Sequence, residues 1–285
     1  MIKVRQVLLC SAVPFFFLAA SCVRENSSRK QDIHVQQMSG FPNQEFGYEL
    51  GVSACYAGII GNKLVMAGGC NFAGKSAAEG GPKYFYKGIY TAEITKDSVL
   101  VWKQFGELPS PVAYGVSISR FGEMILIGGN NADGGLTSVF RLKLAEDGGA
   151  ILDTLPSLPF AQDNMSGAAS GNTIYVAGGN RNGSPSTSVL SLNLNEPELG
   201  WKEEVPFPGA ARVQPVCAVQ DGMLYLWGGF CPSQNGGEAS VATDGYRYLP
   251  LQEQWEPVPA PAVAETGEPL TLTGGTSCVW SDSII

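Results

Sequence analysis

The fold is decided by the stretch Asp221-Gly222-Met223-Leu224-Tyr225-Leu226-Trp227-Gly228-Gly229, in which a turn leads into apolar residues and then into a glycine pair. The same order recurs three times earlier, ending in the pairs Gly68-Gly69, Gly128-Gly129 and Gly178-Gly179. The pairs begin at residues 68, 128, 178 and 228, so the intervals are 60, 50 and 50 residues. A recurring period of this size indicates a chain built from repeats.

Each repeat predicts four strands. The first strands are expected at 54–60, 114–119, 165–170 and 214–219, and each second strand is the apolar run before a glycine pair. The third strands are expected at 88–94, 137–144, 187–194 and 242–249, and the fourth carry Trp102, Leu152, Trp201 and Trp255. Short strands with turn residues between them and no helical period predict an all-β fold, a β-propeller of four-stranded blades.

The glycines and tryptophans have a structural interpretation. A strand that turns off near the central channel needs backbone positions without a Cβ, for conformation and for close approach. The tryptophans are expected to pack between blades. Neither residue type is given a catalytic role.

A fifth repeat begins near the end of the sequence. Residues 272–279 are expected to form its first strand, and Asp282-Ser283-Ile284-Ile285 matches Asp221-Gly222-Met223-Leu224. The next glycine pair would fall at 289–290, because 228 − 221 = 7 and 282 + 7 = 289. The expectation is therefore four complete blades, a fifth that is begun, and a C-terminally truncated propeller.

The composition limits the class of partner. The chain has 285 residues, 44% of them hydrophobic, which is enough for a large core, and its net charge is −8. Phosphate neutralisation needs clustered Lys and Arg, so nucleic acid is not an expected partner. A small anionic ligand needs only one or two well-placed cations and stays open.

The first residues predict export. Lys3 and Arg5 precede a short apolar run, and residues 18–22 read Leu-Ala-Ala-Ser-Cys, which resembles a bacterial lipobox. We expect a signal peptide at 1–21, lipidation of Cys22, a flexible tether at 22–47 and the propeller domain at 48–285. The protein would then be anchored in the bacterial cell envelope by lipid alone, facing the periplasm. The alternative is an ordinary signal peptide with an incidental cysteine.

The positions of histidine and cysteine limit which catalytic, metal and redox sites the domain can form. The only histidine, His34, lies in the predicted tether, so Ser-His-Asp catalysis and His-ligated zinc are not expected in the domain. Cys55, Cys70, Cys217, Cys231 and Cys278 are scattered and form no Cys-x-x-Cys pair. We therefore expect no metal and no cofactor; one disulfide is an alternative to buried free thiols.

The repeat resembles the kelch repeat, and several segments narrow the resemblance. They are Cys70-Asn71-Phe72 with Glu79-Gly80-Gly81, Ala113-Tyr114-Gly115-Val116-Ser117, Asp163-Asn164-Met165, and Ala211-Arg212-Val213-Gln214-Pro215. Together they resemble the cyclically permuted mutarotases, relatives of the N-acetylneuraminate epimerases. The resemblance covers residues from about 51 to the C-terminus.

The resemblance implies a six-bladed propeller that interconverts the anomers of a sugar acid, N-acetylneuraminate, without metal or cofactor. One group removes the proton of the anomeric hydroxyl while another protonates the ring oxygen. By this resemblance Glu79 is the candidate acid or base, and Arg212 the candidate for the sugar carboxylate. The candidate substrate-binding set at strand ends and loops also includes Asn71, Tyr114, Asn130, Asn164, Asn180 and Gln214.

Each candidate has a structural alternative. The alternative for Glu79 is a solvated loop carboxylate or a partner of Lys83, and the alternative for Arg212 is an arginine that binds backbone carbonyls between blades. Any one of the amide residues is more often a turn former. Family members carry a Gly-Glu, Lys-Pro-Gly and Arg-Thr motif that this sequence lacks, so the blade most tied to catalysis is expected beyond residue 285. The alternative function is a non-catalytic propeller that binds glycans or proteins; the sequence predicts no oligomeric state.

Overall fold

A computed structural model describes residues 38–93, 99–146, 149–233, 237–263, 266–280 and 283–284. They belong to one compact unit, Gln37–Ile285. The predicted signal peptide, Cys22 and His34 lie outside the described residues. The described part of the chain contains no helix long and apolar enough to span a membrane. Its only helical pieces are 3-10 turns at Tyr48–Leu50, Ala77–Glu79 and Pro197–Leu199.

The first two repeats form twelve strands: β1 (Tyr56–Ile60), β2 (Lys63–Ala67), β3 (Cys70–Asn71), β4 (Tyr84–Phe85), β5 (Gly88–Glu93), β6 (Lys103–Glu107), β7 (Val116–Arg120), β8 (Glu123–Ile127), β9 (Asn130–Asn131), β10 (Gly134–Gly135), β11 (Val139–Leu144) and β12 (Ala150–Thr154). Blades 1 and 2 are four-stranded antiparallel sheets with the strand orders β1-β2-β5-β6 and β7-β8-β11-β12. The short pairs β3-β4 and β9-β10 extend beyond the glycine pairs as loop hairpins.

The next two repeats form thirteen strands: β13 (Gln162–Asp163), β14 (Ser166–Ser170), β15 (Thr173–Ala177), β16 (Asn180–Arg181), β17 (Ser184–Pro185), β18 (Val189–Asn193), β19 (Lys202–Glu203), β20 (Val216–Gln220), β21 (Met223–Trp227), β22 (Phe230–Cys231), β23 (Ser240–Val241), β24 (Gly245–Leu249) and β25 (Gln254–Pro257). Blades 3 and 4 repeat the arrangement with the strand orders β14-β15-β18-β19 and β20-β21-β24-β25. Their loops carry the sheet β13-β16-β17 and the hairpin β22-β23.

The hydrophobic core lies between the blades. In β8, Ile125 and Ile127 pack towards blade 3, whereas Met124 and Leu126 pack towards blade 1. Successive side chains of a strand point to opposite faces, so a strand covered on both sides needs an unbroken apolar run. This explains the apolar second strand of every repeat and confirms the sequence prediction of a propeller of four-stranded blades.

The glycine pairs join neighbouring blades. The second glycine of each pair donates its N–H to a carbonyl of the following repeat, from Gly69 to Val112, Gly129 to Gln162, Gly179 to Arg212 and Gly229 to Leu272, over 2.7–2.9 Å. All eight glycines have positive φ. A Cβ on Gly68 would lie 2.5 Å from the Val112 oxygen, and one on Gly228 would lie 2.2 Å from the Leu272 oxygen. The predicted structural role of the pairs is therefore confirmed.

The tryptophans also connect blades. Trp201 Nε1, one residue before β19, donates to Pro156 O at 2.8 Å, and Trp255 Nε1, within β25, donates to Val205 O at 2.8 Å, in each case to the end of the preceding repeat. Trp102 of blade 1 donates in the same way to Gly40 O at 3.3 Å. Leu152, which replaces tryptophan in blade 2, packs with the core between blades 1 and 2.

Residues 38–47, which the sequence prediction placed in the tether, contact blade 1. Glu45 Oε2 accepts hydrogen bonds from Gly88 N at 2.9 Å and from Tyr90 Oη at 2.6 Å. The Tyr48 ring is fully buried, and its hydroxyl donates to Gly68 O at 3.0 Å. The predicted tether at 22–47 and the boundary at residue 48 stay predictions, and residues 22–37 lie outside the described part of the chain.

The innermost strands begin later than the sequence indicated, at residues 56, 116, 166 and 216. The residues two positions before each start have left-handed φ and cannot continue a strand. In the fifth repeat the predicted strand 272–279 is reduced to β26 (Val279–Trp280), which pairs with β27 (Ser283–Ile284). There too Gly274, with a φ of 65°, interrupts the extended backbone.

Candidate functional site

A ring of left-handed residues surrounds one end of the central channel. Four of the five ring residues donate their backbone N–H to the carbonyl of the corresponding residue one repeat earlier, over 2.6–3.1 Å, and the carbonyl of Ala54 in the first repeat accepts the first of these bonds. Because a non-glycine residue with positive φ is uncommon, four at one position indicate a backbone that the assembled blades impose. We call this set the mouth ring: Ala54, Tyr114, Asn164, Gln214 and Gly274, with φ of 55°, 61°, 53°, 53° and 65°.

The channel begins one residue below the mouth ring. It encloses a cavity of about 960 Å³ whose wall includes Cys55, Gly115, Met165 and Gly275. The innermost strands hold one another by side-chain hydrogen bonds: Ser117 Oγ donates to Ala57 O at 2.8 Å and accepts from Ala57 N at 3.0 Å. The mouth ring therefore presents its side chains at the entrance of a rigid, open channel.

Asp163 is the buried carboxylate beside the mouth ring. The residue is 6% exposed, and its Oδ1 accepts hydrogen bonds from Asn164 Nδ2 at 2.6 Å and Asn180 Nδ2 at 2.8 Å. Gln214 Nε2 in turn donates to Asn164 Oδ1 at 2.9 Å. Asp163 Oδ2 has no hydrogen-bond partner among the described residues. The structure thus brings together three predicted binding residues, Asn164, Asn180 and Gln214, around a carboxylate that sequence reasoning did not select.

Tyr114 lies next to this group in the mouth ring and is paired with a lysine. Its hydroxyl accepts hydrogen bonds from Lys83 Nζ at 2.9 Å and from Cys70 Sγ at 3.5 Å. Burial raises the pKa of Tyr114, and the Tyr114 hydrogen bond raises the pKa of Lys83, so Lys83 is cationic at neutral pH. Lys83 was not selected from the sequence.

Glu79 is exposed in the loop between β3 and β4. Its Oε2 accepts hydrogen bonds from Ser76 Oγ at 2.7 Å and Ser76 N at 3.1 Å, which closes the 3-10 turn in the manner of a capping box. The Ser76 hydroxyl and backbone hydrogen bonds lower the pKa of Glu79. Lys83 binds Tyr114 rather than Glu79. A carboxyl with a lowered pKa is ionised at neutral pH and is a poor proton donor.

Arg212 is fully buried, and its guanidinium is occupied by protein groups. Nε donates to Ala210 O at 2.9 Å, Nη1 to Gly228 O at 3.1 Å and to Asp244 Oδ1, and Nη2 to Asp244 Oδ2 at 3.0 Å. The Arg212 hydrogen bonds lower the pKa of Asp244. This geometry corresponds to the structural alternative, an arginine that binds backbone carbonyls, and not to a free fork for a sugar carboxylate.

Asn71 is likewise used within the protein. Its Nδ2 donates to Gly47 O at 2.8 Å and Gly51 O at 2.7 Å, and its Oδ1 accepts from Tyr86 Oη at 2.7 Å. It therefore fixes the segment that enters blade 1. Asn130 is half-buried at the start of β9, and its backbone pairs with Ala113. The structure does not bring these two residues into the group around Asp163.

The part of the chain that the structure describes holds no cluster of three His, Cys, Asp or Glu residues with metal-binding geometry. Cys55, Cys70, Cys217, Cys231 and Cys278 are free thiols. Burial raises the pKa of Cys55 to about 11 and that of Cys217 to about 12. The polar groups available at the mouth are therefore a carboxylate, a lysine, a phenol and amides.

Two signals could have identified the missed residues. Asp163 occupies the position immediately before the mouth ring, where the other repeats have Ser53, Ala113, Val213 and Thr273, so it is the one carboxylate at that position. Lys83 follows the Glu-Gly-Gly segment of the loop that was already singled out. Neither signal indicates which atoms a folded loop would place beside Tyr114.

Comparison with known proteins gives a family model described as N-acetylneuraminate epimerase, which matches residues 18–151 and 155–285. The N-acetylneuraminate epimerase of Haemophilus influenzae (strain PittEE) is 35% identical over 131 residues, covering 46% of this chain and 32% of that protein. The one from Pasteurella multocida (strain Pm70) is 33% identical over 141 residues, covering 49% and 36%. The alignments thus span about a third of the length of these curated relatives.

The solved structure of YjhT, a kelch β-propeller, is similar to this chain with a TM-score of 0.63. The match covers 82% of this chain and 75% of YjhT at 12% sequence identity, a level at which the likeness shows the fold alone. The fold is therefore a kelch-type β-propeller, as the sequence predicted.

Proposed function

The chain belongs to the N-acetylneuraminate epimerase family, and from that premise we propose that it accelerates the interconversion of the anomers of N-acetylneuraminate. The observation that carries this proposal is the buried carboxylate of Asp163 at the channel mouth, with one oxygen held by two amides and the other without a described partner. A carboxylate with one oxygen that has no described protein partner can exchange a proton with a sugar hydroxyl group.

The proposed reaction needs two proton movements. A base takes the proton of the anomeric hydroxyl, the bond between the anomeric carbon and the ring oxygen breaks, and an acid protonates that ring oxygen. The open form rotates about the bond to the freed carbonyl carbon, and the reverse steps close the ring as the other anomer. In this proposal Asp163 exchanges the hydroxyl proton through Oδ2.

Asn164, Asn180 and Gln214 support this role as positioning residues. Their amides fix Asp163 and leave further donors and acceptors for sugar hydroxyl groups. Glu79 is exposed and ionised, so we propose it only as a second proton acceptor.

The test is proton NMR of anomer exchange of N-acetylneuraminate with purified protein. We expect acceleration over buffer, a loss of about 10²–10⁴-fold in Asp163→Asn, and a smaller loss in Glu79→Gln. Asp153→Asn is the matched control, because Asp153 is a surface carboxylate that pairs with Lys143 at 3.3 Å. Saturable binding of N-acetylneuraminate without acceleration would support the alternative of a non-catalytic glycan-binding propeller.

We propose that the protein acts in the cell envelope, anchored through lipidated Cys22. Small residues leading into this cysteine after a short apolar run support the proposal. Metabolic labelling with a radioactive fatty acid should label the wild-type protein and not Cys22→Ser. Equal labelling of both proteins, or of neither, would contradict lipidation at Cys22.

A further inference from the structure

Lys83 is held above two aromatic rings at the channel mouth. Its Nζ lies 5.0 Å from the centre of the Tyr114 ring and 5.7 Å from that of Phe72, and it donates to the Tyr114 hydroxyl at 2.9 Å. These contacts restrict a side chain that is otherwise long and mobile. The ammonium therefore has a defined place beside the mouth ring.

This cation has no carboxylate partner among the described residues. In the part of the chain that the structure describes, eight ion pairs join other Lys and Arg side chains to Asp or Glu, and Lys83 is in none of them. The absence is informative because the chain has 26 acidic and 18 basic residues, so acidic partners are in excess. An ammonium has three donors, and only one of them is directed to Tyr114.

Lys83 and Asp163 contact neighbouring residues of the mouth ring. Lys83 binds the Tyr114 hydroxyl, Tyr114 O accepts a hydrogen bond from Asn164 N at 2.8 Å, and the side chain of Asn164 holds Asp163. The cation and the carboxylate thus stand beside consecutive members of the ring. A charge anchor at Lys83 leaves Asp163 for a neutral hydroxyl group, since two carboxylates would repel each other.

We propose that Lys83, positioned by Tyr114, binds the carboxylate of the sugar acid. This inference rests on the proposed function. It assigns to Lys83 the binding of the sugar carboxylate, a role that the sequence analysis had assigned to Arg212. Arg212 cannot perform it in this fold, because its guanidinium nitrogens are bound to Ala210, Gly228 and Asp244. The specificity of the site for acidic over neutral sugars then depends on one ammonium group.

The test compares N-acetylneuraminate with its uncharged methyl ester. We expect Lys83→Met to raise KM for the acid by roughly tenfold to a hundredfold, the range of a hydrogen bond to a charged group. The KM for the methyl ester should change less than about twofold, since a neutral ester makes no charge-assisted bond. Lys83→Arg should restore most of the affinity for the acid, and Tyr114→Phe should raise KM for the acid without abolishing turnover.

Lys75→Met is the matched control, because Lys75 is an exposed lysine of the same loop, and it should leave both substrates unchanged. If the wild-type protein accelerates exchange and Lys83→Met affects acid and ester equally, the inference is overturned while the proposed function stands. If the wild-type protein accelerates neither substrate, the proposed function itself fails. Urea unfolding of each variant separates a binding effect from misfolding, and Tyr114→Phe, which removes the hydrogen bond that positions Lys83, provides the reading if Lys83→Met does not fold.

Discussion

At the scale of single residues, two cations near the channel mouth have opposite environments. Arg212 is fully buried and bound to two carbonyls and a carboxylate, whereas Lys83 is exposed and bound to a phenol. A buried guanidinium stays in a protein only where its donors are satisfied, and here the protein satisfies them. The first residue therefore stabilises the blade contact, and the second is available to a ligand.

We predict that Arg212→Met lowers the free energy of unfolding by about 3 kcal/mol, towards the lower end for a broken buried ion pair. The loss lies at the lower end of that range because the Asp244 side chain is 38% exposed, so water can solvate its carboxylate once Arg212 is replaced. Urea unfolding followed by tryptophan fluorescence measures the change. The rate of anomer exchange per folded molecule should stay within about twofold of wild type, and a large loss of rate with unchanged stability would contradict the structural role.

The thiols give a second prediction at this scale. At pH 8 we expect a maleimide or iodoacetamide reagent to modify exposed Cys278 readily and to leave Cys55 and Cys217 largely unmodified. Burial raises the pKa of the latter two to about 11 and 12, so little thiolate is present. Mass spectrometry of peptides reads the sites, and 6 M guanidinium should make all three equally reactive. Rapid native modification of Cys217 would mean that the interface of blades 3 and 4 opens.

At the scale of elements, the glycine pair ends each second strand and joins it to the next blade. The two glycines make different hydrogen bonds in this link. The carbonyl of the first accepts a side-chain donor in every blade, from Tyr48, Tyr56, Gln162 or Arg212, while the N–H of the second binds the next repeat. The backbone geometry is therefore shared by all four blades, although the side chain that completes it differs in each.

We predict that Gly179→Ala destabilises the protein by at least about 2 kcal/mol more than Gly171→Ala. Both positions have positive φ, which costs an alanine about 1–2 kcal/mol. A Cβ on Gly179 would also lie 2.3 Å from Asp163 O and 2.5 Å from Met165 N, whereas one on Gly171 meets open space. Thermal unfolding of both variants tests this, and equal losses would show that conformation alone explains the glycine.

At the scale of the whole molecule, the blades are held by contacts that repeat around the channel. Three kinds of contact join one blade to the next. They are the backbone hydrogen bonds of the mouth ring, the hydrogen bonds of serine side chains between innermost strands, and the apolar layers between sheets. Residues 38–47 bind blade 1 where the end of a preceding repeat binds in the other blades, since Trp102 reaches Gly40 as Trp201 reaches Pro156. The stability of the propeller is therefore shared between neighbours.

We predict that Glu45→Ala lowers the free energy of unfolding by about 1–3 kcal/mol, because it removes the acceptor of the buried Tyr90 hydroxyl and of Gly88 N. Glu49→Ala, at an exposed position in the same segment, is the control and should change it by less than about 0.5 kcal/mol. Removing residues 23–37, the rest of the predicted tether, should also have little effect. Similar losses for Glu45→Ala and Glu49→Ala would show that only the segment's charge matters.

Local features were predictable where a single residue's chemistry suffices. Glycines at fixed intervals, apolar runs of four and polar turns are visible in the sequence because they recur at the same place in every repeat. Strand starts were misplaced by one or two residues, since the left-handed turn at Ala54, Tyr114, Asn164 and Gln214 is imposed by hydrogen bonds to another blade. Of these four residues only Asn164 is of a type that is enriched in this conformation.

The sequence by itself determined the repeat, the four-stranded blades, the structural glycine pairs and the family resemblance, because these recur at a fixed period or follow from residue type. Only the tertiary structure decided which polar residues face the channel mouth. It buried Arg212 against Asp244, used Asn71 and Glu79 for local hydrogen bonds, and placed Asp163 and Lys83 beside the mouth ring. The physical reason is that a side chain's availability depends on whether groups far away in the sequence already satisfy its donors and acceptors.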